Sequence, residues 1–501
     1  LQTQQPSWRL WGEEKNDGAV YTVYLKKVRY HPSSSLSRSD SEDTVSHLEW
    51  ETVRVRVVKA GSLAAIVANL ADDEGGLEPT NVNIFLATYR SFASPQQVLD
   101  TFLARYRQLS GRDADEAETP TVAPEKHQQA LVQALLVWLD MYPEDLYEPP
   151  QFVVLRQLLG FAQCQLDPGS SLELRAKHRL QQFLARDPEK GLFFEPPPWG
   201  VVFGPRWAPA QARAQSTPGP VWLQDIPEEH AAYQLTWMDA ELFRRLVPHH
   251  CLGAMWRRRG GNSRDWSATV HNTATATVRQ FNAVSRRVTS TVLWEGWRGD
   301  ASSRAHMIAK WVGIAQELRF LKNFSSLKAI IAALQSNDIY RLSRVWALVD
   351  PDRVQAFLEL ARIFSSEEHQ MSCKELMLKE GTAKFADTVG DNDRQLQKAM
   401  QKQLASGTVS SNDSDNPGRM QGTVPYLGIF LRDLTVLDAA LPDVLPGGLL
   451  NFDKRRREFR ILAQVKLLQS AANCYSLEPD PAFVAWFDAL PILSDDERYV
   501  K

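Results

Sequence analysis

Residues 425–443 read PYLGIFLRDLTVLDAALPD, and residues 451–459 read NFDKRRREF. Pro425 can open a helix, because a first-turn residue has no intrahelical acceptor for the N–H that proline lacks. Phe430, Leu434, Leu437 and Leu441 follow on one helical stripe. Pro442, Pro446, Gly447 and Gly448 then stop the helix. Asn451 or Asp453 can cap a second helix, with Phe452, Phe459, Leu462, Val465 and Leu468 as its apolar line. The stretch therefore predicts two antiparallel helices over 425–470, joined by a short Pro/Gly turn. Ordinary core packing would account for both apolar lines. The run Lys454-Arg455-Arg456-Arg457 reads as a solvated basic face, or as a patch for an acidic partner or lipid head groups.

Helical periodicity extends on both sides of this pair. Leu327, Ile330, Ile331 and Leu334 match the i, i+3, i+4, i+7 template, and Thr277–Val292 and Ser303–Phe320 are further amphipathic helices. Thr236 begins TWMDAELFRRLVP, with Asp239 at the third helical position and Leu242, Phe243 and Leu246 at core spacing. The polar segment Asn392–Gly422 interrupts the pattern, and SGTVSSNDSDNPG within it reads as loop. Upstream, Phe193–Pro220 is rich in Pro and Gly. It reads as an extended linker pinned by Trp199 and Trp207, the alternative being a polyproline ligand at Pro196–Pro198.

Before that linker lies another helical region. Ser62 can cap a helix carrying Leu63, Ile66, Val67 and Leu70, and Ser94-Pro95-x-Gln97 is a capping box ahead of Val98, Leu99, Phe102, Leu103 and Tyr106. Ala130–Met141 and Ser171–Ala185 repeat the pattern. The N-terminus differs: Ala19–Arg29 and Thr52–Val57 alternate as strands do, around a Ser-rich polar stretch. The expected fold class is all-α, with two helical lobes and a small N-terminal β-hairpin. Its divisions are a hairpin over 1–59 with a disordered loop at 32–46, a helical lobe over 60–190, a linker over 191–225 and a second lobe over 226–495.

A chain of 501 residues is long enough for about three domains, or two large ones. Its 23% charged and 44% hydrophobic residues are ordinary for a globular protein. A net charge of −3 gives no field that would draw nucleic acid. No apolar run reaches the ~18 residues of a membrane-spanning helix. Cys164, Cys251, Cys373 and Cys474 are scattered without C-x-x-C, which excludes a disulfide scaffold and a zinc ribbon and reads as a reducing cytoplasmic setting. The chain starts at Leu1 without a signal peptide, so it reads as an excised fragment. Phosphate-loop, H-E-x-x-H, G-x-S-x-G and kinase signatures are missing. His249-His250 is the one histidine pair; adjacent rings cannot share a helical face, so these read as surface residues after Pro248 and not as metal ligands.

The quoted stretch resembles the helical hairpin of Ras-type guanine nucleotide exchange factors. QLTWMDAELFRRLVP, RQFNAVSRRV and ELRFLKNFSSLKAIIAALQSNDIYRL resemble other blocks of that catalytic domain, in the same order, and NIFLATYRSFASPQQVLDTFLARY resembles the Ras exchanger motif domain. The LDAALPD ending is similar to the Ral guanine nucleotide dissociation stimulator branch and its stimulator-like members. The resemblance implies that 60–190 is the exchanger motif domain and 226–495 the catalytic domain. It further implies a factor that binds a nucleotide-free GTPase better than a loaded one, and so weakens nucleotide by the same ratio. No covalent step and no cofactor of its own are needed, since Mg²⁺ and GDP or GTP belong to the partner.

On this resemblance the partner is a Ral-type small GTPase. Upstream Ras would act through a C-terminal Ras-association domain not visible before Lys501, recruiting a cytoplasmic protein to membranes. Gln335 and Tyr426 match positions that meet the partner's second switch, and Tyr340 matches the aromatic interface position in the same block as Gln335. Thr435 falls where relatives place an apolar residue near the Mg²⁺ site, and Ala439 where many Ras-directed relatives carry Glu. Asp433 or Asp438 could act in place of that Glu, or metal release could follow from switch displacement alone. Asn282 either orders the core or faces the second switch. Leu431, Leu434 and Leu437 are expected to hold the hairpin to the body. A non-catalytic GTPase-binding scaffold, or an exchanger for Ras or Rap, are the alternatives.

Overall fold

The computed structural model describes residues 8–16, 18–30, 49–111, 124–186, 223–253, 273–294, 300–365, 367–381, 422–490 and 492–494. The Ser-rich loop, the Pro/Gly linker with Pro196–Pro198, and SGTVSSNDSDNPG lie outside them. The chain divides into two compact units, Leu1–Pro188 with Leu437–Phe459, and Glu189–Val436 with Arg460–Lys501.

In the first unit, β1 (Trp8–Asn16), β2 (Ala19–Tyr30) and β3 (Glu49–Gly61) form an antiparallel meander. The expected two-stranded hairpin thus has a third strand. Its signal is hidden by a bulge: Leu10 faces Tyr24 and Gly12 faces Val23, so Trp11 is the extra residue and the alternation slips. Leu10 and Trp11 are both exposed, which removes the apolar-inward pattern as well. Helices α1 (Leu63–Ala68), α2 (Pro79–Thr88), α3 (Pro95–Ser110), α4 (Pro124–Met141), α5 (Val153–Gln165) and α6 (Ser171–Leu184) follow.

Ser62 caps α1, and the Ser94/Gln97 capping box opens α3 as expected. Val98, Leu99, Phe102 and Leu103 are buried. Arg90 is also buried, its Nε donating to Asp145 Oδ1 at 2.6 Å and its Nη1 to the Leu86 carbonyl at 2.6 Å, while Trp138 Nε1 donates to Asp145 Oδ2 at 2.7 Å. Every partner is needed, because a guanidinium taken out of water is tolerated only when paired and hydrogen-bonded.

The same unit takes in the tip of the helical pair. Between its helices, β4 (Val444–Leu445) and β5 (Leu449–Asn451) form a small hairpin, and β5 joins β3 through Ala60 opposite Asn451 and Gly61 opposite Leu450. The sheet order is β1-β2-β3-β5-β4. Gly447 and Gly448 turn the chain with φ of +90° and +77°, a conformation that strains any residue with a Cβ. The predicted Pro/Gly stop is therefore a strand turn.

The second unit holds α7 (Glu228–Arg244), α8 (Thr273–Leu293), α9 (Ala301–Phe320), α10 (Phe324–Leu334), α11 (Asn337–Tyr340), α12 (Ser343–Trp346), α13 (Pro351–Arg362), α14 (Glu367–Gly381) and α17 (Pro481–Ala489). It also contains most of α15 (Leu427–Ala440) and α16 (Phe452–Ala472). Leu327, Ile330, Ile331 and Leu334 are fully buried, as are Phe430, Val465 and Leu468.

Two expectations fail here. Thr236 does not start a helix; α7 begins at Glu228, and Thr236 Oγ1 donates to the Ala232 carbonyl at 2.7 Å. Asp239 is accordingly an interior residue. It accepts from Ser326 Oγ at 2.6 Å and Asn323 Nδ2 at 2.9 Å, and Asn323 Oδ1 in turn caps α10. Burial pushes the Asp239 carboxyl up to about 6 against those hydrogen bonds. His249 and His250 are buried, not surface residues. His250 Nδ1 accepts the Thr273 N–H at 3.3 Å, so its ring proton sits on Nε2.

Candidate functional site

The first leg of the helical pair is positioned by its own sequence. Tyr426, Gly428 and Leu431 line a cleft of about 260 Å³ with Thr277, Phe281 and Asn282. The Tyr426 ring lies 5.2 Å from that of Phe281 at 32°. Burial raises the Tyr426 hydroxyl above its ordinary range, so it is a neutral donor. Asn282 is exposed, which removes the option that it orders the core. Gln335 ends α10 exposed, and Tyr340 ends α11 with 70% of its surface in solvent. The structure thus brings Asn282 and Tyr426 together, and leaves Gln335 and Tyr340 out of the cleft lining.

Farther along α15, Leu434 is buried, Leu431 and Leu437 half-buried, and Thr435, Val436, Ala439 and Ala440 exposed. Thr435 Oγ1 donates to the Leu431 carbonyl at 2.8 Å, so its hydroxyl proton is already engaged. The two carboxylates proposed from sequence both have cationic partners. Asp433 accepts from Lys374 Nζ at 2.5 Å, and Asp438 from Lys454 Nζ at 2.6 Å.

The basic run is not a solvated face. Lys454 and Arg455 are 1% and 2% exposed, Arg456 is half-buried, and Arg457 alone is exposed. Lys454 Nζ bridges Asp438 and Asp443, the latter at 2.7 Å. Arg455 pairs with Asp443, donates to Ser91 Oγ and lies 5.7 Å from the Phe92 ring centroid. Arg456 Nη2 donates to the Val58 carbonyl at 3.1 Å. Burial would raise Asp443, but the Lys454 hydrogen bond and the Arg455 charge hold it below the usual carboxylate range. Glu458 behaves oppositely. Its Oε2 is 2.8 Å from Arg455 Nη1 without hydrogen-bond alignment, and burial outweighs the cations to push it up to about 7.

Sequence reasoning missed Lys374, Gly428 and the tip cluster. Gly428 had a readable signal, a glycine inside a helical pattern; the cations had none, since Asp433 and Asp438 lie on α15 and Asp443 just beyond it, away from the cations in sequence. Among the described residues no group of three His, Cys, Asp or Glu side chains could hold a metal ion. None of the described helices is long and apolar enough to cross a membrane.

One helical lobe exposes Thr435, Val436 and Ala439 on the helix that also bears the exposed Arg432, and the same chain holds a capped helical lobe with a strand meander. The chain belongs to the RasGEF domain family: the RasGEF domain matches residues 230–456, and the RasGEF N-terminal motif matches 57–161. Within it, the chain is similar to Ral guanine nucleotide dissociation stimulator-like 1 of Mus musculus, 40% identical over 99% of this chain and 63% of that protein. Stimulator-like 3 of Mus musculus is 36% identical over 98% of this chain and 67% of its own length, and the Homo sapiens Ral-GDS-related protein 33% over 67% and 65%. The chain therefore spans somewhat less than two thirds of the stimulator-like 1 protein. The family resemblance read from the sequence blocks holds.

Proposed function

We propose that the chain is a guanine nucleotide exchange factor that binds a Ral-type small GTPase, displaces its switch segments and releases GDP so that GTP can load. The factor makes and breaks no bond; it stabilises the emptied partner, and linkage weakens nucleotide in return. The Tyr426 cleft accepts an apolar side chain of the second switch, with Asn282, Gln335 and Tyr340 as further contacts. The exposed face of α15 meets the first switch through Thr435 and Ala439.

The ion pairs favour one route to metal release. Lys374 and Lys454 engage the carboxylates of Asp433 and Asp438, so neither acid is available to replace the Glu that many relatives carry at the Ala439 position. Switch displacement by the helix face of Thr435 and Ala439 then removes the partner's own Mg²⁺ ligands. The reading includes a cytoplasmic location, no cofactor of its own, and recruitment to membranes by an upstream Ras-type partner through a Ras-association domain outside this sequence.

The observation that carries the reading is the exposure of Thr435, Val436, Ala439 and Ala440, beside the exposed Arg432, inside the matched RasGEF segment. The test is release of fluorescent GDP from Ral, Ras and Rap proteins under catalytic amounts of this chain. Acceleration on Ral is expected, with little on Ras or Rap. Acceleration on Ras or Rap instead reassigns the partner, and binding without acceleration on any of them leaves a scaffold.

A further inference from the structure

The helix α14 (Glu367–Gly381) enters the reading above only through the Lys374 pair with Asp433, yet one of its faces is fitted to the helical pair. Lys374 Nζ donates to Asp433 on α15 at 2.5 Å and lies 5.1 Å from the centre of the Phe430 ring on the same helix. One turn on, Met377 Sδ accepts the Tyr426 N–H at 3.3 Å, just before α15 begins. Another turn on, Glu380 receives Arg319 of α9 through two hydrogen bonds, at 2.7 and 3.1 Å. At Gly381 a Cβ would lie 2.5 Å from Leu468 Cδ2 on α16. Residues 374, 377 and 381 share a helical face. That face touches the entry and body of the first leg and the body of the second.

These contacts differ in kind. Met377 fills space, which other apolar residues could also do, and Gly381 leaves room that any side chain would take from Leu468. Lys374 is directional: its side chain is only 15% exposed, and its charge meets both a carboxylate and an aromatic face on one leg. We propose that Lys374 is a positioning residue, holding α15 through its ion pair with Asp433 so that α14 sets the pose in which the leg meets a partner. This rests on the exchange reading for its effect on activity, but not for the mechanical link itself.

The test therefore uses two readouts. Lys374→Met keeps a flexible chain of similar length and removes the charge, Asp433→Asn removes the other half, and Lys374→Asp with Asp433→Lys reverses the pair. Amide hydrogen exchange over residues 427–436 needs no partner. It should speed up about fivefold in either single variant and return to within about twofold of the parent in the reversed pair. Nucleotide release at saturating Ral should fall about fivefold in the single variants with KM within about twofold, and recover in the reversed pair. Parental hydrogen exchange in Lys374→Met, or a reversed pair as labile as the single variants, overturns the proposal. A parent chain inert on every GTPase overturns the exchange reading instead, while the hydrogen-exchange arm still decides the role of Lys374. If Lys374→Met fails to fold, Asp433→Asn and Lys374→Arg carry the comparison, the latter expected to match the parent.

Discussion

The ring of Tyr426 lies across Gly428 so closely that a Cβ on the glycine would stand 2.3 Å from Tyr426 Cζ and 2.4 Å from its hydroxyl. A glycine early in a helix forfeits about 1 kcal/mol of helical propensity. Here the open space is filled by the aromatic ring that forms one wall of the cleft.

Gly428→Ala should therefore act on Tyr426 and not on the fold. The ring end can swing away, and the alanine recovers helical propensity, so the thermal midpoint should stay within about 2 °C. Nucleotide release should slow about tenfold, close to the effect of Tyr426→Ala. The paired measurement is a melting curve and a release assay on the same preparation. Full activity in Gly428→Ala would show that the ring's position is immaterial.

The four consecutive cations at 454–457 should separate sharply in their contributions. Arg455→Ala leaves Glu458 without its ion-pair partner and Asp443 with Lys454 alone, and should cost about 3 kcal/mol in denaturant unfolding. Arg457→Ala, at an exposed position, should stay within about 0.5 kcal/mol. Equal effects would mean that burial of the run is not what stabilises it.

Glu458 supplies a pH dependence with a definite sign. Its carboxyl is pushed up to about 7 in the fold, above its value in an unfolded chain. Its contribution to stability is thus complete at acid pH and is lost as pH rises through 7. Glu458→Gln carries no such loss. Relative to that variant, the parent should lose about 2 kcal/mol between pH 5.5 and 8.5 in urea titrations. Asp239, pushed up to about 6, titrates in the same direction but is common to both proteins and cancels.

Gln335→Ala should lower release on Ral about threefold or more with an unchanged melting curve, because its side chain is exposed and supports no packing. A variant that melts early would place Gln335 in the core, and unaltered release would remove it from the interface.

Periodicity made most of the helical body readable. Leu327, Ile330, Ile331 and Leu334 form a buried stripe because 3.6-residue spacing leaves no other way to arrange four apolar side chains. The Ser94 cap was equally local. Properties settled at a distance were not readable. Lys454 and Arg455 look like surface residues until Asp438, Asp443 and Ser91 are brought beside them from elsewhere in the chain. Asp239 looked like a first-turn acid because the start of α7 carries no capping residue, Pro227 offering no side-chain acceptor. The strand β1 was lost to one bulged residue at Trp11. At the candidate site, the family blocks pointed to Tyr426 and Asn282, whereas the lysines that engage Asp433 and Asp438 depend on tertiary placement.

The register of β5 on β3 has a consequence for how the molecule is made. Arg456 reaches the Val58 carbonyl across 398 positions of sequence, and the strand pair beside it closes the same interval. A ribosome will have delivered the whole N-terminal lobe, and then most of the second, before the last strands of that sheet exist. Until then β3 carries a raw edge near Ala60 and Gly61, open to nascent-chain chaperones or to mispairing. Splitting the gene at the Pro/Gly linker would make that temporary state permanent, so the two halves should be more soluble when co-expressed than when either is produced alone.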